Sequence, residues 1–145
     1  VAAWLSRLWS TKNTPLVSVA VRYSYSLAPI GFGIWLAHFS FHFLTGLYTF
    51  IPVTQAALAL GEPQWTLVGL SPNVVQLFEF GFITLGLIGS LLVSYSIAMA
   101  DELAHPPRVF LPWATLSLIV AAAAFWLLSQ PMEMRGFIMS ILPIV

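Results

Sequence analysis

The sequence contains no cysteine, and only 7% of its 145 residues are Asp, Glu, Lys or Arg. Without thiols this chain holds no disulfide, no thiolate nucleophile and no cysteine-ligated iron–sulfur cluster. The scarcity of charge excludes more. A soluble domain carries about 25% charged residues because its surface faces water. A chain this poor in charge cannot cover such a surface, so lipid covers much of it. Five basic and five acidic residues cancel, and nothing invites nucleic acid or another polyanion. The sequence has no phosphate-binding glycine loop and no nucleophile elbow. A transporter would show a pair of broken helices in matching halves, and no such pair is evident.

What is present is apolar: 59% of residues are hydrophobic and the mean hydropathy is +0.92. A spanning helix needs about 20 residues, so the chain has room for three or four. The expected fold is an all-α membrane protein, a single membrane domain over residues 1–145. The sequence opens on Val1, which fits a trimmed start or a piece of a longer polypeptide. Arg7 and Lys12 interrupt the opening, which does not read as a signal peptide.

Trp4, Leu5, Leu8 and Trp9 recur at helical spacing and predict an amphipathic N-terminal interfacial helix. Thr14-Pro15 reads as a helix start, with residues 16–26 leading in from the interface. The first span is predicted over residues 27–53, which contain no Asp, Glu, Lys or Arg. A loop over 54–70 follows, with a short helix over 55–60. Ser71-Pro72 starts the second span, 72–100, which Asp101 and Glu102 close. His105-Pro106-Pro107-Arg108 reads as a stiff turn. The third span covers 109–130, with Pro112 in its first turn and Pro131 as its stop. Residues 132–145 form a short apolar C-terminal segment. Trp65 and Trp113 read as interface anchors. Arg7, Lys12, Arg22 and Arg108 fall on one side of this topology, and the 54–70 loop has no Lys or Arg. The N-terminus is therefore expected in the cytoplasm.

Inside the first span, His38 and His42 are four apart and share a helix face, which Thr45 and Thr49 continue. A polar stripe facing lipid is expensive, so it should face protein, water or a cofactor. In the second span Glu79, Gly86, Ser90 and Ser94 fall on one side. Gly86, Ser90 and Ser94 make a ridge suited to helix packing. Counting from the outer ends places Glu79 at the depth of Thr45, with His42 less than a turn deeper. His38, His42, Thr45 and Glu79 are thus candidates for a quinone or proton path. Helix–helix hydrogen bonding without any cofactor accounts for the same residues. Haem b ligation would need a second histidine from elsewhere, since one-turn neighbours cannot grip iron from opposite sides. The pair suits a divalent metal on one helix face but is too few ligands, Glu79 being the candidate third, and no metal site is assigned. No residue is assigned a catalytic role.

Residues 31–55, GFGIWLAHFSFHFLTGLYTFIPVTQ, together with PRVFLPWA at 107–114 and QPMEMRG at 130–136, resemble the C-terminal membrane region of bacterial membrane-bound polyferredoxins. The resemblance covers most of residues 22–136. It implies electron transfer between quinone and iron–sulfur or cytochrome partners at the bacterial cytoplasmic membrane. Such proteins carry cysteine-rich cluster motifs that this chain lacks, so any cluster would lie on another subunit or an upstream segment. Two functions are expected as alternatives. One is a membrane subunit or fragment of an electron-transfer complex. The other is a structural accessory subunit of a larger respiratory or photosynthetic membrane complex.

Overall fold

Proline marks the starts of the long helices. Its fixed φ suits a first turn, where its missing N–H is not needed. In the computed structural model, which describes residues 1–10, 14–63, 69–101 and 105–130, the elements are helical throughout. They are α1 (Ala2–Trp9), α2 (Leu16–Ser24), a 3-10 turn (Tyr25–Leu27), α3 (Ala28–Thr45), α4 (Phe50–Ala57), α5 (Pro72–Asp101) and α6 (Pro106–Ser129). Pro15 caps α2, Pro29 lies in the first turn of α3, and Pro72 opens α5.

Among the described residues three helical stretches are long and apolar enough to cross a membrane: Leu16–Thr45, Pro72–Asp101 and Pro106–Ser129. The protein is an all-α membrane protein, and these three helices are its membrane-spanning elements among the described residues. Their limits differ in detail from the pattern in the sequence. Helix α2 runs through the 3-10 turn into α3, so the first apolar rod begins at Leu16. It ends at Thr45, because residues 46–49 turn before α4 begins. The His105–Arg108 segment is the beginning of α6, not a separate turn. His105 caps it, and Pro106 and Pro107 occupy the first turn they are built for. Pro112 then lies inside the helix. The expected apolar segment over 132–145 falls outside the described residues, as do Lys12 and Trp65.

Helix α5 is the centre of the bundle, with α3 and α6 both packed against it. Lipid tails are as apolar as leucine, so packing and hydrogen bonds, not hydrophobicity, bring such helices together. The core accordingly mixes small and branched residues. Ile30, Ala37, Ile83, Ala121, Ala124 and Leu128 form one cluster, and Phe80 meets Phe125 edge-on with centroids 5.0 Å apart. At the other end Val19, Tyr23, Ala98, Val109 and Trp113 form a second cluster. Trp113 is therefore not an interface anchor. It is 5% exposed and stacks on Tyr23, centroids 5.3 Å apart.

Two polar contacts close this second end. Ser6 Oγ donates to the Val109 carbonyl at 2.9 Å and ties α1 to α6. The Arg22 guanidinium pairs with the Asp101 carboxylate and ties α2 to the last residue of α5. At the opposite end the Leu70 amide donates to the Leu44 carbonyl. Residue 69 is a glycine because the Leu44 and Thr45 backbone occupies the space a side chain would need.

Candidate functional site

The polar residues of the spans divide between two surfaces of α3. Its inner face packs on α5 in an antiparallel register fixed by three small residues. A Cβ on Gly33 would lie 2.5 Å from the Phe82 carbonyl oxygen and 3.1 Å from the Gly86 Cα. One turn away, the Ile30 amide donates to Ser90 Oγ at 2.9 Å. Glu79, Gly86, Ser90 and Ser94 all lie on the buried face of α5. Gly86 and Ser90 serve the contact with α3 directly, and Ser94 donates to the Leu91 carbonyl of its own helix.

Glu79 is completely buried on this inner face. Gly33 lies opposite Gly86, so Glu79, seven residues before Gly86, comes level with Ser40, seven residues after Gly33. That is five residues deeper than Thr45, or roughly 7.5 Å. The sequence-based count started from a helix end at residue 53, whereas α3 stops at Thr45. A buried carboxyl needs hydrogen-bonding partners, and Glu79 does interact with its surroundings.

His38 and His42 occupy the outer face of α3. At 3.6 residues per turn they lie roughly 100–140° round the helix from the buried Ala37, and both are exposed on the single chain. Their rings meet edge-on with centroids 5.0 Å apart. His38 also meets Phe39 and His42 meets Phe41, both edge-on. Beside them runs a ladder of exposed aromatic rings. Phe32 stacks on Trp35 at 5.9 Å, Trp35 packs against Phe39 at 4.5 Å, and Phe43 extends the row.

The structure thus brings His38 and His42 together but puts Glu79 in a different layer of the bundle. Thr45 does not link them. Its hydroxyl donates to the Phe41 carbonyl at 2.6 Å and approaches that of His42 at 3.3 Å. Thr49 leaves the stripe altogether, because α3 has ended and Thr49 caps α4. Among the described residues no group of three or more His, Cys, Asp or Glu could hold a metal ion.

Other polar groups escaped the sequence pattern. The Tyr23 hydroxyl, Trp113 Nε1 and Ser117 Oγ are buried and have no hydrogen-bond partner among the described residues. Their signal in the sequence is weak, since an isolated Tyr or Ser in an apolar run is common. Arg22 and Asp101, 79 positions apart, could be read as boundary charges but not as a pair. No family model, curated protein or solved structure matches the chain.

Proposed function

We propose that the chain is a structural membrane subunit that docks on larger membrane partners through the outer face of α3. The observation that carries this reading is the position of His38 and His42, exposed side by side within a transmembrane helix. An imidazole facing hydrocarbon leaves its N–H and its lone pair unsatisfied, which is costly. A partner helix offering hydroxyl, amide or carboxyl groups removes that penalty, and the adjoining Phe32–Trp35–Phe39 ladder supplies rigid packing surface.

A second reading places the chain in an electron-transfer complex. It is favoured by the imidazole pair and by the resemblance of residues 22–136 to polyferredoxin membrane regions. Here the histidines contribute to a quinone or haem b site, or to a proton path, that the partner completes. The iron–sulfur or cytochrome centres reside on that partner. The bacterial cytoplasmic membrane is the location this reading requires. Arg7, Arg22 and Arg108 favour a cytoplasmic N-terminus by the positive-inside rule, and the Arg22–Asp101 and Ser6–Val109 contacts support their sharing one end.

The test is purification of the tagged chain from its native membranes in mild detergent, as wild type and as the His38→Phe/His42→Phe double variant. Loss of co-purifying membrane subunits from the double variant, with the chain still folded, is the expected result. Unchanged co-purification refutes docking through this face. Full assembly with lost quinone-linked turnover in His42→Ala and Glu79→Gln establishes the electron-transfer reading instead.

A further inference from the structure

His42 lies in the last turn of α3, and His38 lies one turn before it. Along the helix axis they sit about 4.5 Å and about 10.5 Å from its end at Thr45. Carbonyls left over at a helix C-terminus carry partial negative charge, which favours a cation beside them. Both rings are exposed on the single chain, so an ion arriving at this end of the bundle meets them directly.

The separation of the rings is that of a chelate. Their centroids are 5.0 Å apart. Two imidazoles on one tetrahedral ion have centroids about 5.2 Å apart, from metal–nitrogen bonds of about 2.0–2.1 Å and about 1.15 Å between nitrogen and centroid. An imidazole centroid lies close to the line of its Cβ–Cγ bond. Turning a ring about that bond therefore re-aims its nitrogens while the separation stays. Histidines four apart on one helix face form the same half of a zinc site elsewhere.

Two ligands are only half a coordination sphere. Among the described residues no further His, Cys, Asp or Glu joins the pair to make a group of three. Glu79 is fully buried on the inner face of α5, away from the face of α3 that carries the histidines. Imidazole ligates as the neutral ring, so the pair leaves a divalent ion with its whole positive charge. Within a membrane such a charge needs pairing, so the remaining ligands are anionic. Imidazole donors also select a transition metal over calcium or magnesium, which take oxygen ligands. We propose that His38 and His42 chelate a divalent transition-metal ion, and that the partner docked on the outer face of α3 completes the site with anionic ligands. The inference rests on docking through that face and states what the partner presents there.

The test uses the full chain, carrying a histidine-free tag, in two preparations. In the first, the chain purified in detergent is titrated with Cu2+, and electron paramagnetic resonance counts the ligating nitrogens. One ion per chain with two nitrogen ligands is expected. His38→Gln and His42→Gln should each weaken binding about 100-fold, as when one arm of a two-point attachment is lost. Both side chains are exposed, so neither variant empties a packed position. Ligation by a single nitrogen in wild type, or unchanged affinity in both variants, overturns the proposal. In the second, the native complex is purified with and without a strong chelator. Release of the partner by the chelator and its return with Zn2+ is the expected result. A complex that survives the chelator but is lost in the His38→Phe/His42→Phe variant overturns the metal and leaves docking by hydrogen bonds standing. Co-purification unchanged in that variant overturns the docking itself and the partner's ligands with it.

Discussion

The Ile30 amide donates to Ser90 Oγ at 2.9 Å, across the contact between α3 and α5. Ile30 lies in the first turn of α3, directly after Pro29, and both partners are buried. The hydroxyl thereby joins the Gly33–Gly86 approach in setting how far one transmembrane helix slides along the other. Ser90→Ala removes the acceptor and leaves a buried N–H facing a methyl group. The expected loss is about 1–3 kcal/mol. Unfolding of the purified chain in detergent measures it, and Ser90→Thr should retain most of the stability.

The glycines of α3 and α5 separate into two groups by what a side chain would meet. A Cβ on Gly86 would lie 2.7 Å from the Pro29 carbonyl oxygen and 3.1 Å from the Ile30 Cα, both backbone atoms that cannot swing aside. Gly86→Ala is expected to destabilise by about 1–3 kcal/mol through overpacking. Gly31 and Gly81 face open space. Gly31→Ala and Gly81→Ala should be neutral or stabilising by up to about 1 kcal/mol, because alanine is the better helix former. Equal effects at Gly86 and Gly81 would refute the close approach.

Glu79 is buried in the bundle, level with Ser40, and interacts with its surroundings. Glu79→Gln keeps the shape and most hydrogen-bonding capacity, so folding should survive with a loss of roughly 1 kcal/mol. Glu79→Ala removes the group and leaves a void, so its loss should be larger, about 2–5 kcal/mol. Thermal midpoints of the two variants, compared in the same detergent, check the order. A Gln variant as unstable as the Ala variant would show that the carboxyl acts through its charge.

His38 and His42 should behave in the opposite way. Neither is buried within the single chain, so the His38→Phe/His42→Phe variant should unfold within about 0.5 kcal/mol of wild type. Any defect should instead show in the native complex. A large stability loss in the isolated chain would mean that the pair packs internally.

The Tyr23–Trp113 stack contributes through ring contact, since neither polar atom has a hydrogen-bond partner among the described residues. In lipid-free detergent Tyr23→Phe should be neutral or slightly stabilising, as it removes an unpaired buried hydroxyl. Tyr23→Ala should cost about 3–5 kcal/mol, as expected for deleting a large buried ring. Loss of near-ultraviolet circular dichroism in the alanine variant alone would confirm that order.

Composition determined the membrane setting, because 7% charge cannot coat a water-facing surface, and the long uncharged runs determined the all-α class, because a span of about 20 consecutive apolar residues satisfies its backbone as a helix. The side-chain period of 3.6 also determined that His38 shares a face with His42, and that Glu79 shares one with Gly86, Ser90 and Ser94. Only the tertiary structure decided which faces meet. Periodicity sorts residues round one helix but carries no information on the rotation or sliding of its neighbour. The Gly33–Gly86 approach and the Ile30–Ser90 bond set that register, burying Glu79 and leaving the histidines outside. The same assembly joined Arg22 to Asp101 across 79 positions and buried Trp113 against Tyr23, because a local pattern cannot report contacts between distant parts of the chain.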